Sequence, residues 1–287
     1  MQYEIGRASR IGNRENNQDR FAAFEADGAV LLVLADGMGG KVGGELAAQT
    51  LVDVASAAMA QQRFPVTYPQ NFLARILEDA HAAVLAAGMR HAPPIQPGTT
   101  AVLGLVQERS VWWAHVGDSR LYLFRNGVPL YRTRDHSYVE HLYQEGQISL
   151  DKRQGHPMRN YVTQCIGLRP EPPEVTLSNQ TALQAGDVLL LCSDGLWEPL
   201  GDAQMGAVLM EDSLDKALDS MAEQAEELAY PNSDNISALA LRVVSLEAKR
   251  REAPPVEKPV DKEQDRLNAA IEEIERALDR YRDEMDE

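Results

Sequence analysis

The sequence predicts an α+β fold in which antiparallel sheets are covered by helices, and three observations carry that reading. Short runs rich in β-branched and aromatic residues come in neighbouring pairs, such as 100–106 and 111–116 joined by Gln107-Glu108-Arg109-Ser110. Long Ala- and Leu-rich stretches with helical periodicity lie between groups of strands. Strands and helices do not alternate one for one, which disfavours a doubly wound parallel sheet.

Taken in order, strands are expected near 20–25 and 29–35, the second an unbroken apolar run. A helix follows from Gly44 to Ala60. Phe72, Ile76, Leu77, Ala80, Val84 and Ala87 then mark one face of a second helix. Strands near 100–106, 111–116 and 120–124 come next. The segment of about 137–168 mixes a short helical piece, Tyr138 to Glu145, with polar and glycine-bearing connections, and reads as a surface flap. A strand near 187–192 precedes a third helix, where Ser213 is a candidate N-cap and Leu214, Ala217, Leu218, Met221, Ala225 and Leu228 form the stripe. Period-two alternation from Ile236 to Leu241 marks a half-buried strand within 236–244. Residues 1–246 thus read as one domain. A charged, proline-bearing linker spans 247–262, and an amphipathic helix spans 263–287. In that helix Leu267, Ile271, Ile274, Leu278 and Tyr281 keep a four-three spacing over about two heptads, short of a secure coiled coil. A solvated helix and a partner or self-association helix fit that pattern equally.

The formal net charge of −16 leaves no surplus of cations for binding nucleic acid or an anionic membrane surface. No apolar run reaches the roughly 20 residues that cross a bilayer. The N-terminus lacks the apolar core of a signal peptide. The two cysteines, Cys165 and Cys192, give no disulfide framework, and Cys192 sits in an apolar run as a core thiol. These features together set the expectation of a cytoplasmic, soluble protein.

Three apolar runs end in aspartate next to glycine or serine: Asp36 in ADGMGG, Asp118 in HVGDSR and Asp194 in CSDG. A fourth aspartate, Asp234, opens the last strand in SDNIS. Asp-Gly is common in turns, so each alone reads as a turn. Together they place carboxylates at the rims of stiff strands, where convergence would need a cation to relieve repulsion. Hard divalent ions with oxygen ligands suit such a set. Two of them sharing a water would lower its pKa and supply a nucleophile for in-line attack on a phosphate ester.

The order and content of the motifs resemble the metal-dependent protein phosphatases of the PPM family, the type 2C serine/threonine phosphatases, in their bacterial form. The matching pieces are RENNQDR (14–20), ADGMGGKVGGE (35–45), GTTAVLGLV (98–106), HVGDSRLYLFRNG (115–127), TRDHS (133–137), MRNYVTQCIG (158–167), GDVLLLCSDGLWE (186–198) and DNIS (234–237). The resemblance covers about residues 1–246 and not the tail. It implies a central antiparallel β-sandwich flanked by helices on both outer faces, a four-layer α-β-β-α arrangement. It further implies two ions, Mn²⁺ or Mg²⁺, bridged by Asp36, with the Gly37 carbonyl, Asp194 and Asp234 completing the pair. Asp118 would serve a third, weaker site. Asp19 would orient water from behind, and Arg14 would take the phosphate with its planar fork. The substrates implied are phosphoserine and phosphothreonine in proteins, the products of a bacterial Ser/Thr kinase.

Two departures from the animal pattern stand out. Met38 replaces a histidine that would protonate the leaving alkoxide, and Gln18 replaces a glutamate that would reach a metal through water. Two other functions stay open from the residues: a phosphoprotein-binding regulator without catalysis, and a metallo-phosphohydrolase of small esters. His81 reads as structural or exposed, and His136 and His156 read as loop or capping residues near the flap. Of Trp112 and Trp113, one should face the core and the other the opposite side of the strand. GMGGK fails the P-loop spacing, since Val42 follows Lys41.

Overall fold

The computed structural model describes residues 1–38, 40–211, 213–247, 271 and 273–276. Chain contacts divide it into Met1–Ala248 and Lys249–Glu287. In the first unit, one sheet runs β1 (Gln2–Arg10), β13 (Ile236–Ser245), β12 (Val188–Cys192), β8 (Arg120–Arg125) and β9 (Val128–Arg132). The other runs β10 (Thr176–Leu177), β7 (Ser110–Val116), β6 (Ala101–Gln107), β3 (Ala29–Ala35) and β2 (Arg20–Ala26), with β11 (Thr181–Ala182) also on β7. A third, two-stranded piece joins β4 (Gly37–Met38) to β5 (Gly98–Thr99). The strand pairings are antiparallel throughout.

Alternation within each strand builds the layers. From β3, Val30, Leu32 and Leu34 point between the sheets, where they meet Leu121, Leu123, Leu189, Leu191, Leu239 and Leu241. Its other side chains, Leu31, Val33 and Ala35, pack beneath α1 (Gly40–Gln61) and α2 (Pro69–Arg90). On the second sheet Tyr122, Phe124, Val188, Leu190 and Cys192 turn outward. They lie under α5 (Asp194–Trp197), α6 (Asp202–Val208) and α7 (Leu214–Ala229). Three apolar layers separate four structural ones, the α-β-β-α sandwich expected. Strands buried on both faces explain why β3, β6, β8 and β12 read as continuous apolar runs.

Several elements escaped the sequence pattern. Helix α1 starts at Gly40, four residues before the expected Gly44, through a glycine-rich turn of low helix propensity. Strand β1 was invisible because its buried positions are small residues, Gly6 and Ala8. A Cβ on Gly6 would stand 2.8 Å from Leu214 Cγ, so α7 lies directly on that strand. Strand β9 exposes nearly all its side chains, including Val128, Leu130 and Tyr131, and therefore shows no alternation. Helices α5 and α6 are too short to show a period. Ser213 does cap α7, accepting from Lys216 N at 3.4 Å.

The flap carries α3 (Tyr138–Gln144) and α4 (Leu150–Gln154). It is tied down by bridges from Ser137 to Val162 and from Thr99 to Ile166. His81 is buried, and its Nδ1 accepts from Gly167 N at 3.2 Å, a structural role. His136 likewise serves a loop: its Nδ1 accepts from Gly117 N at 3.3 Å. Trp112 joins the helix-side core while the half-buried Trp113 packs toward the inter-sheet core, on opposite faces as expected. In the second unit Ile271 and residues 273–276 are helical, with Ile271 and Ile274 exposed. Leu267, Leu278 and Tyr281 of the expected seam lie outside the described residues.

Candidate active site

The site forms where strands of both sheets end. Asp36 follows β3, Asp118 lies in the turn from β7 to β8, Asp194 follows β12 and Asp234 precedes β13. Gly117 holds φ at +103°, the left-handed region that this tight turn needs and that side chains resist. Asp36 is fixed through its backbone. Its amide donates to Thr100 Oγ1 at 3.0 Å, and its carbonyl accepts from Thr100 N and Thr99 Oγ1, both at 2.9 Å. Gly37 admits no side chain, because a Cβ would run into the carbonyl of Gly44 in the first turns of α1.

Arg14, Asp36, Gly37, Asp118, Asp194 and Asp234 all line one cleft of 690 Å³. Asp19 lies beneath it, buried, with Oδ2 accepting from Ser193 Oγ at 2.8 Å. Arg14 Nη2 donates to Asp234 Oδ2 at 2.6 Å. Met38 and Gln18 line the same wall, and no histidine lines the cleft among the described residues.

The electrostatics are those of crowded, dehydrated acids. Burial, then repulsion from Asp19, Asp194, Asp118 and Asp234, drives the Asp36 carboxyl well above the usual range. Asp194 is raised in the same way, by burial first and then by Asp118 and Asp234. Burial pushes Asp19 up to about 7 against the Ser193 hydrogen bond. Asp118 rises to about 7, from burial and then Asp135. Asp19 Oδ1 and Asp194 Oδ1 are buried with no hydrogen-bond partner among the described residues. Such orphaned acceptors are costly unless a cation or donor meets them. As they stand, no three His, Cys, Asp or Glu side chains among the described residues close into an ion-gripping group, and Arg14 sits on Asp234. An all-oxygen donor set with unsatisfied buried carboxylates fits hard divalent cations, which the protein would draw in by relieving that repulsion.

Sequence reasoning passed over several residues that build the site. Asn235 clamps the loop bearing Arg14: its Nδ2 donates to the carbonyls of Ile11 at 2.9 Å and Asn16 at 3.0 Å, and its Oδ1 accepts from Gln18 N at 2.8 Å. Asn13 and Ser233 lock the same loop, with Ser233 Oγ donating to Asn13 Oδ1 at 2.9 Å. Trp197 Nε1 donates to the Asp118 carbonyl at 3.0 Å. Asn160, Tyr161 and Val162 bring the flap to the cleft wall. The only signal for Asn235 and Ser193 was their place beside an aspartate in DNIS and CSDG.

Comparison with known proteins points the same way. A sequence profile described as protein phosphatase 2C matches residues 6–232. The serine/threonine phosphatase stp of Listeria innocua is 30% identical over 237 residues, which are 81% of this chain and 92% of that one. Among solved structures, the Streptococcus agalactiae serine/threonine phosphatase superposes with a TM-score of 0.78 at 30% identity, covering 84% of this chain and all, 100%, of that one. The catalytic domain of the serine/threonine protein phosphatase PstP, solved in complex with 2 manganese ions, gives a TM-score of 0.71 at 27% identity over 85% of this chain and 99% of that one. A sandwich of this topology, with acids gathered at the strand ends and a profile match spanning most of the chain, has one reading: the protein belongs to the protein phosphatase 2C family.

Proposed function

We propose that the protein removes phosphate from phosphoserine and phosphothreonine in protein substrates, using divalent ions held in the aspartate cleft. The observation that carries this reading is the meeting of Arg14, Asp36, Gly37, Asp118, Asp194 and Asp234, drawn from five separate segments, in one cleft over buried and unsatisfied carboxylates. Asp36, the Gly37 carbonyl, Asp194 and Asp234 would hold the ion pair, with Asp118 at a further position. Mn²⁺ or Mg²⁺ bound there would supply an acidified water and positive charge against the phosphoryl oxygens.

The chain's own groups do the rest. Arg14, 57% exposed at its side chain, presents a planar fork to two phosphate oxygens once substrate competes for it with Asp234. Asp19, held by Ser193, stands behind the acids as an acceptor for a proton or a water. Met38 offers no proton and no histidine replaces it among the described cleft residues, so water or another group must protonate the leaving alkoxide. The same reading sets the enzyme in the cytoplasm, opposite a serine/threonine kinase.

The test is turnover of a phosphothreonine peptide and an aryl phosphate with Mn²⁺, with EDTA, and in Asp194→Asn. Metal-dependent peptide hydrolysis is expected. Loss of Asp194 should exceed the roughly 10- to 100-fold effect of removing a group that merely supports a metal ligand. Turnover of the aryl ester alone would favour a small-ester hydrolase. Binding of phosphopeptide without turnover would favour a non-catalytic regulator.

A further inference from the structure

A second cavity, of 570 Å³, opens beside the cleft and shares Asp118, Asn160 and Asp194 with it. Its apolar lining comes from Val139, Leu150, Trp197, Pro199 and Leu200, set among charged side chains. Leu150, on α4 of the flap, leaves 61% of its surface to solvent.

The arginines around the cavity are each matched to a carboxylate, while Asp118 and Asp194 belong also to the aspartate cleft. Arg120 forks onto Asp135 with both hydrogen bonds at 2.7 Å, and Arg153 reaches the same carboxylate at 3.3 Å. Arg159 pairs with Glu198 at 3.1 Å and Arg132 with Asp202 at 3.6 Å. The Arg120 guanidinium also lies 3.3 Å over the Trp197 ring, which fixes one wall. An acidic guest would have to break one of these pairs, whereas an uncharged apolar guest meets the apolar side chains and displaces only water. The cavity is therefore matched to hydrocarbon, and its shared wall makes it continuous with the phosphate position.

We infer that this cavity is a side-chain subsite that selects phosphoprotein substrates carrying an uncharged apolar residue near the phosphorylated one. The inference rests on the phosphatase reading above. It gives the flap a stated task, since α4 supplies Leu150 as one jaw and the β12–α6 connection supplies Trp197, Pro199 and Leu200 as the other. Apolar pockets discriminate by roughly ten- to two-hundredfold for small differences in fit.

The test is a phosphothreonine peptide set on a glycine background, in which a single Leu, Phe, Asp or Lys is moved through about four residues on either side, roughly 13 Å of extended chain. At one position Leu or Phe is expected to raise kcat/KM about tenfold over Gly, with Asp and Lys giving no gain. Leu150→Asp should abolish that preference while leaving turnover of the all-glycine peptide unchanged, since Leu150 is not among the residues that line the aspartate cleft. A flat profile with normal turnover of the glycine peptide would overturn the subsite alone. A Leu preference that survives Leu150→Asp would also overturn it. Absence of turnover on every peptide, with or without Mn²⁺, would remove the phosphatase reading and this inference with it.

Discussion

Arg14 faces a choice between Asp234, to which it donates at 2.6 Å, and a phosphate anion entering the cleft. A guanidinium that must leave one carboxylate to meet a dianion contributes to substrate binding by the difference between the two. Arg14→Ala should lower kcat/KM for a phosphopeptide by roughly 10- to 100-fold, the range of a lost charge-assisted hydrogen bond. Steady-state kinetics at saturating Mn²⁺ check this, and an unchanged kcat/KM would dismiss the role. His115 offers a second test at this scale. It is buried against His136, with ring centroids 4.6 Å apart, and its Nε2 meets the Arg134 carbonyl at 2.7 Å. Burial first, then His136, lowers its pKa from 6.5 to about 4. The folded value lies below the unfolded one, so the unfolded chain takes up the proton first as pH falls. The stabilisation is whole above about pH 6.5 and is lost between about 6.5 and 4, amounting to about 3 kcal/mol. Urea melts of wild type and His115→Gln without metal should differ in slope against pH within that window. Parallel pH dependences would refute it.

Loops set the precision of the cleft more than strands do. The Ile11–Gln18 segment that carries Arg14 has no ladder of its own and hangs on Asn235 and on the Asn13–Ser233 pair. Asn235→Ala removes three partly buried hydrogen bonds to the loop backbone, at a cost of about 2–4 kcal/mol. Thermal melts should show that loss, and phosphopeptide kcat should fall even where the variant is folded. Full activity in a folded Asn235→Ala protein would show that the loop is held otherwise. Such clamps were hard to foresee, since an asparagine that serves three partners across more than 200 residues looks like any turn residue in the sequence. Asp36, Asp118 and Asp194 were easier to find, because each stands where a buried apolar strand must stop, and Asp234 stands just before one starts. Strand β1 shows the opposite case: it pairs with β13 along its whole length, yet small buried residues gave it no apolar signature.

At the scale of the whole molecule, the four layers explain why distant motifs meet. Each sheet contributes strand ends to the same edge of the sandwich, so the order of motifs along the chain and their position in space are set by one topology. The layering itself was legible once the family resemblance was recognised, while the alternation within fully buried strands was hidden, since both faces are apolar. The unit Lys249–Glu287 contributes no residue assigned to the chemistry. Deleting residues 249–287 should leave aryl phosphate hydrolysis within about twofold of the full chain, since every residue assigned to the chemistry lies in Met1–Ala248. A large loss of turnover in a folded truncation would tie the tail to the site. The most direct test of the whole is calorimetric titration of the metal-free protein with Mn²⁺ at neutral pH, run beside Asp36→Asn and followed by phosphothreonine hydrolysis on the same samples. Tight uptake of about two ions per chain, lost together with hydrolysis in Asp36→Asn, is the predicted result. Hydrolysis that persists in the metal-free protein, or uptake that Asp36→Asn leaves unchanged, would contradict it.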